Sequence, residues 1–434
     1  MAPLEASTFP QAEKHMRPCV RALGAMNRYR EANVAAPPKV LRTKPRYGPK
    51  LREARFEDYD QIAGLESRFG LTAKPYGEWV HLWQGNPLYR ELKPDWPIGW
   101  VLEDEDGKIV GSMGNIPSLY ELDGRRILVS SGRSWVADLA YRSASLSLLD
   151  NLLRQRNVDL YLNNTVSHNS VAAVTALECS RVPVGIWDEV AYWITNYLGC
   201  FQDMVAMKNY RLTRPFAFPS WEGSWTRLKS MRARLSKPLS YPLSAAAFLK
   251  DHLAKTSLRE SDVQVQVCPD FDDRFDSFWE ELKRKNRHLL LAVRTREVLD
   301  WHFKPALLGN QLWIVTVVDG SRLVAYAIFK KVINRRSEFK QVMLIDYQSL
   351  EDSTSMLEPL LSWTLRKCRS EGVHMLEHTG RWLEKEEFIN TAAPYRRKLS
   401  TWTYFYRANN PELRGLLTDR RVWAPSLFDS DATL

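Results

Sequence analysis

A chain of 434 residues with 44% hydrophobic side chains exceeds what one hydrophobic core usually serves, so two or more globular domains are expected. The formal charge of +10 sits largely at one end: residues 1–50 carry ten Lys or Arg against three acids, an excess of seven, which leaves +3 for the rest. A folded part so nearly balanced argues against a basic nucleic-acid groove, and apolar runs such as Leu312 to Val318 fall far short of the ~20 residues of a membrane span. Five scattered cysteines without a C-x-x-C pair argue against a disulfide framework and a zinc ribbon, so a cytoplasmic protein with reduced thiols and no metal is expected.

Residues 1–50, broken by APPK and KPRYGPK, read as a basic flexible extension. From Leu51 the pattern gives a strand (LREAR), a helix near Glu57 to Phe69, a second helix (GEWVHLW) and a hairpin turning at Asp106-Gly107. A further strand ends near Asp138, a helix follows with Leu146, Leu149 and Leu153 on one face, and another strand (VDLYLN) comes next. Residues 199–261, rich in Pro, Ser, Lys and Arg, read as a connector with one helix. The same order returns after Asp262: VQVQV, FDSFWEELKRKN, REVLDWHF and a hairpin at Asp319-Gly320. Trp100 precedes Asp106 by six residues and Trp313 precedes Asp319 by six, so the repeat is in register at its hairpins. The expectation is a mixed α/β (α+β) fold of two similar domains, residues 51–198 and 262–434, each with a central sheet flanked by helices.

The run Ser134 to Gln155 combines strand, turn and helix start, where unsatisfied peptide N–H groups point outward and suit a phosphate. Read alone, Ser143 and Ser145 are more often ordinary helix caps. The segment VADLAYRSASLSLL, Val136 to Leu149, together with the order of elements, resembles the acetyl-CoA-binding strand and loop of the GNAT (GCN5-related) N-acetyltransferase superfamily. That loop reads Gln/Arg-x-x-Gly-x-Gly/Ala, and here it reads Arg142-x-x-Ser145-x-Ser147. Asn169-Ser170-Val171-Ala172 resembles the superfamily's Asn-x-x-Ala segment beside the pantetheine arm. The duplicated layout and the end WAPSLFDSDATL resemble bacterial tandem proteins built from two such domains.

The resemblance implies that acetyl-CoA or another acyl-CoA is held by Val136, Arg142, Ser143, Ala144, Ser145, Leu146, Ser147 and Asn169. It also implies that the acyl group passes directly to the amine of a small-molecule or peptide acceptor, main-chain amides holding the thioester carbonyl. Asp138, at the end of the coenzyme-binding strand, is the candidate base. A leucine at Ser145 is expected to stand exposed at a helix start, blocking coenzyme without disturbing a core.

The sequence departs from the family pattern at both loop glycines, at Glu178 where a glycine is expected before the last strands, and at Val174, near the position of the tyrosine that protonates the leaving thiolate. In the second half QSLEDSTSMLEPLL places Glu351 and Asp352 at its helix start, where acids repel a pyrophosphate, so that half is expected to be degenerate. Two other readings stay open: a catalytically inactive scaffold or acyl-CoA sensor, and an aminoacyl transferase of the peptidoglycan-bridge (Fem) type using charged tRNA. His374 and His378 have metal-ligand spacing for a helix, but their segment reads as a strand. Cys179 and His168 are near in sequence, and Tyr76, Trp83 and Tyr89 are candidates to line an acceptor groove.

Overall fold

The computed structural model describes residues 48–184, 189–203, 240–249, 251, 263–333, 338–351, 354–379, 393–398, 403–429 and 431–434. Residues 1–47 of the basic extension and most of the connector lie outside the described residues, and Lys50, placed in the extension, opens the first strand. The first half runs β1 (Lys50–Glu53), α1 (Tyr59–Arg68), α2 (Tyr76–Gln84), α3 (Pro87–Leu92), β2 (Gly99–Glu103), β3 (Ile109–Leu122) and β4 (Arg125–Ala137). It continues through α4 (Leu146–Leu153), β5 (Leu160–Val166), α5 (Val171–Ala176), β6 (Ser180–Arg181) and β7 (Glu189–Ile194). The second half runs β8 (Val265–Cys268), α6 (Asp273–Lys285), β9 (Leu291–Ala292), α7 (Arg296–Leu308), β10 (Leu312–Asp319), β11 (Arg322–Ile333) and β12 (Lys340–Ser349). It ends with α8 (Leu357–Ser370), β13 (Met375–His378), β14 (Tyr395–Lys398), β15 (Thr403–Ala408) and α9 (Pro411–Leu416).

Both hairpins turn where the Asp-Gly pairs predict, with Gly107 at φ 75° and Gly320 at φ 61°, conformations that cost a residue with a β-carbon. In the first, the Asp104 carboxylate also accepts the amides of Asp106 and Lys108. Helix α4 buries Leu148, Leu149, Leu152 and Leu153, whereas Leu146 is 43% exposed. The apolar face is thus turned from the one the leucine spacing suggests: Leu149 and Leu153 are on it, but Leu146, at the first position of the helix, is not.

Each half contributes a mixed sheet, but the halves exchange a strand. The first sheet has the order β1-β2-β3-β4-β5-β15-β6, with β9 pairing to β3, and the second β14-β7-β13-β12-β11-β10-β8. Strand β15, from the end of the chain, therefore lies against β5, while β7 lies against β13. The sheets cross the division expected near residue 198. The physical reason lies in the edges: the outer rows of N–H and C=O groups of β5 and β13 each need a partner strand, and the apolar strands TYFYRA and EVAYWI supply it across the halves.

The exchange fuses the cores. One apolar cluster joins Val129, Leu160 and Leu162 of the first sheet to Phe275, Phe278 and Phe303 of α6 and α7, and to Trp423 and Phe428 near the end of the chain. A second, smaller cluster packs α1 and α2 on the first sheet through Ile62, Leu65, Trp79 and Trp83, with Trp301 of α7 reaching into it.

Candidate active site

Strands β4 and β5 run parallel but pair at three positions alone, Val129 with Leu160, Ser130 with Tyr161 and Ser131 with Leu162. Beyond them β4 continues to Ala137 and β5 to Val166, so the strands splay and leave a wedge. Asn163 Nδ2 bridges its narrow end to the carbonyl of Gly132 at 3.2 Å. On its other side β4 pairs with β3, and the register slips between Ser112 and Gly114: Ser112 faces Val136 while Gly114 faces Arg133. The extra residue makes a bulge in which Ser134 takes φ 51°, and a bulge re-aims peptide groups that a regular ladder would consume.

Because β4 and β5 are parallel, the loops that follow them stand at the same end of the wedge. One carries Arg142 to Ser147 and the other Asn169. Arg142, Ser143, Leu146 and Asn169 are exposed, Ala144 and Ser147 half-buried, and Val136 is 9% exposed within β4. The sequence-predicted coenzyme residues are thus brought to one rim.

Ser145 differs from expectation: it is buried, its hydroxyl donates to the Arg142 carbonyl at 2.7 Å, and its own carbonyl accepts the Trp135 indole at 3.1 Å. A leucine there would break the turn, so it does not isolate coenzyme binding. Ser147 likewise donates its hydroxyl to the Ala144 carbonyl at 2.7 Å. Both hydroxyls hold the loop's own shape. Asp138 ends β4 at this rim, with its carboxylate paired to Arg68 of α1 at 3.3 Å. Glu178 has φ 63°, the left-handed conformation that a glycine adopts without strain, which is the residue the family pattern places there.

The mouth of the wedge is crossed by the last described residues. The carbonyl of Asp429 accepts from Asn164 Nδ2, Thr165 Oγ1 donates to Asp431 at 3.0 Å, and Arg133 Nη1 donates to the Leu434 carbonyl at 3.3 Å. From the second half, Lys330 Nζ donates to the Thr433 carbonyl at 3.0 Å, and His302 Nε2 lies 2.7 Å from the Thr433 hydroxyl. Two cavities of about 260 and 180 Å³ flank this segment between the halves, sharing Trp301, His302 and Leu434 in their walls.

A buried polar network anchors the segment. Arg294 reaches Asp346 with two nitrogens, at 2.8 and 3.1 Å, and Ser426 at 3.3 Å, and its guanidinium lies 4.8 Å from the Phe428 ring. Tyr120 donates to Asp429 at 3.3 Å and Tyr326 to Asp346 at 3.2 Å. Burial pushes the Asp429 carboxyl up to about 6, against the opposing pull of Arg294. Burial also lowers the basicity of Lys74, to about 8, with the positive charges of Arg133 and Lys330 adding to the effect. None of these network residues was found from the sequence, because their partners lie far along the chain, Asp346 and Ser426 from Arg294 and Asp429 from Tyr120 of the first half.

Trp83 and Tyr89 are buried in the core under α2 and α3, while Tyr76 is exposed. Cys179 is buried and its thiol pushed up to about 12 by desolvation, while His168 is exposed. His374 Nδ1 accepts the Lys340 amide at 2.9 Å, and His378 lies against Trp193. Among the described residues no group of three His, Cys, Asp or Glu is placed to hold a metal, and no described helix is long and apolar enough to cross a membrane.

Each half runs strand, helices, three antiparallel strands, helix and a parallel strand, the order expected of a GNAT fold, here in tandem with exchanged strands. No family model matches the chain, and no curated protein matches it. Among solved structures it is similar to a GCN5-related N-acetyltransferase from Anabaena variabilis ATCC 29413, at 11% identity and TM-score 0.49, covering 83% of this chain and 72% of that one. It is similar to a probable N-acyltransferase from Enterococcus faecalis V583, at 10% identity and TM-score 0.49, covering 84% and 73%. It is also similar to Saccharomyces cerevisiae N-myristoyltransferase with bound myristoyl-CoA, at 11% identity and TM-score 0.45, covering 83% and 80%.

Proposed function

We propose that this chain is an acyl-CoA-dependent acyltransferase, its first half holding the coenzyme and its second half closing the acceptor cleft. The observation that carries the reading is the wedge between β4 and β5, with a bulge in its wall at Ser134 and both following loops at its rim. Open strand edges offer peptide groups to a pantetheine amide, and the amides of Ser143, Ala144 and Leu146, with Arg142 beside them, suit a pyrophosphate, those of Ser145, Ser147 and Leu148 being bonded to loop carbonyls. Val136 and Asn169 would flank the pantetheine arm. The thioester carbonyl would meet peptide N–H groups at the bulge, and an acceptor amine would enter from the cavities between the halves. The aromatic side chains Trp79, Trp83 and Trp100 close the space beyond the bulge, leaving only about 20 Å³, so no long acyl chain fits past it, which supports a short acyl group, acetyl in the first instance. Asp138 belongs to this reading as a rim carboxylate that Arg68 holds in place.

Thermal shift and calorimetry test it. A ligand at 100 times its Kd stabilises the native state by about 2.7 kcal/mol, so saturating acetyl-CoA should raise the melting temperature visibly. Arg142→Glu and Ser143→Glu, both at exposed positions, should weaken acetyl-CoA at least tenfold by placing negative charge against the pyrophosphate, while the unliganded protein melts as before. A wild-type protein that no acyl-CoA shifts would overturn the reading.

A further inference from the structure

Glu66 stands on the inner face of α1 with 3% of its surface exposed, and its carboxylate makes no hydrogen bond to a described residue. Lys74 attracts it electrostatically, but among the described residues no donor bonds its oxygens, and a buried carboxylate left without hydrogen bonds points to a use. It faces the cavity of about 20 Å³, whose wall also includes Ser112, Arg133 and Ser134. Two further polar atoms there are unsatisfied: the Ser112 hydroxyl, in a residue 2% exposed, and Arg133 Nε. The other walls include the apolar side chains of Ile62, Trp79, Trp83, Ile98 and Trp100. A polar space needs about 10–15 Å³ and two to four partners to hold one water. Here the chemistry is complementary: Arg133 Nε–H donates, the Glu66 carboxylate accepts, and the Ser112 hydroxyl does either.

We propose that Glu66 is the proton acceptor of the transfer, working through one water that Glu66, Ser112 and Arg133 hold beside the bulge at Ser134. The inference rests on the acyltransferase reading above. The acceptor ammonium gives one proton through the water to Glu66. The freed amine forms the C–N bond to the thioester carbon, the C–S bond breaks, and the departing thiolate takes the second proton shed by nitrogen. The products are the amide, the free thiol of coenzyme A and a protonated Glu66, which returns its proton to solvent. The charged groups around Glu66 are Arg133 of β4 and Lys74 ahead of α2, with Glu78 of α2 and Lys330 of β11 beyond Lys74.

The test uses acetyl-CoA with water as the acceptor, read as thiol release across pH on the full chain, alongside acetyl-CoA affinity by calorimetry. Wild-type release should fall on an acidic limb as one carboxylate is protonated. Glu66→Gln should lose at least 100-fold in rate together with that limb, since general-base catalysis contributes 10²–10⁴-fold, yet bind acetyl-CoA within about twofold of wild type. Glu66→Asp should keep the limb at reduced rate. A role in folding alone would lower affinity and melting temperature together and leave the limb in place. If wild type binds acetyl-CoA and release is absent, or keeps its rate and limb in Glu66→Gln, this inference fails while the acyltransferase reading stands. If acetyl-CoA does not bind wild type, both fail.

Discussion

Glu178 shows how much a single residue can reveal. Sequence comparison with a family pattern expects glycine there, and the backbone duly takes φ 63°, where an L-residue with a β-carbon is strained by roughly 1–2 kcal/mol. The partner of its carboxylate, Arg407 at 3.5 Å, compensates little, because Glu178 is 82% exposed and surface pairs contribute roughly 0–1 kcal/mol. Glu178→Gly should therefore stabilise the protein by about 1 kcal/mol, seen as a higher urea midpoint at unchanged slope; a lower midpoint would show that the strain is not there. The loop serines were less legible. Their hydroxyls read as caps or phosphate donors, but Ser145 and Ser147 spend them on the carbonyls of Arg142 and Ala144, a choice set by the turn's geometry rather than by residue type. Arg294 was not legible at all, since its partners come from two distant segments, Asp346 from one strand and Ser426 and Asp429 from a turn near the end of the chain. Removing one member of such a buried set leaves charge uncompensated, so Arg294→Met should cost about 3–5 kcal/mol in urea unfolding. Restoring balance with Asp346→Leu in the same chain should recover part of that loss.

At the scale of elements, what the sequence carried was local: Asp-Gly turns, the helices α1, α2, α6 and α7, and the strand–turn–helix around Asp138 follow from periodicity and turn chemistry. Strand partners did not follow, because pairing of β15 with β5 and of β7 with β13 is decided by edges that only the folded chain brings together. The wedge was likewise out of reach, since nothing in Gly132 to Ala137 tells that β5 leaves β4 after three pairs. The packing under α1 and α2 has a measurable consequence. Ile62, Leu65, Trp79, Trp83 and Trp96 fill the space between these helices and the sheet, so a long acyl chain has no room there. Acetyl-CoA should bind more tightly than palmitoyl-CoA once the affinity of unacylated coenzyme A is subtracted, and calorimetry with the three ligands decides it. A palmitoyl chain that adds affinity would mean that this aromatic packing opens.

For the whole molecule, the exchanged strands make each half incomplete without the other. Residues 51–198 expressed alone would leave β5 with an unpaired edge and would carry β7 with no partner strand, and unpaired apolar edges associate. That piece should be insoluble by itself and recovered as a soluble complex when coexpressed with residues 199–434. The pH dependence is also a property of the whole, set by groups buried where the halves and sheets meet. Burial holds His378 down at about 3, with Arg396 adding to the effect. His302 lies well below its ordinary 6.5 through burial and then the charges of Lys330, Lys74 and Arg294, and His374 is lowered by burial and Lys340. Below pH 6.5 the unfolded chain binds protons at these sites that the native state refuses, so the native advantage, complete above 6.5, drains away as pH falls toward 3. Asp429 acts in the opposite sense: raised from 3.8 to about 6, it binds its proton more readily in the native state, so protonating it between pH 6 and 4 adds stability. Each pH unit is worth about 1.4 kcal/mol per group, and three histidines outweigh one carboxyl, so the urea midpoint should fall between pH 7 and pH 5. Asp429→Asn removes the opposing contribution and should make that fall steeper by roughly 1 kcal/mol at pH 5, because the asparagine has no proton to gain. Equilibrium unfolding of both proteins at half-unit pH steps measures the two slopes, and parallel curves would show that Asp429 is already protonated at pH 7 or stays ionised throughout.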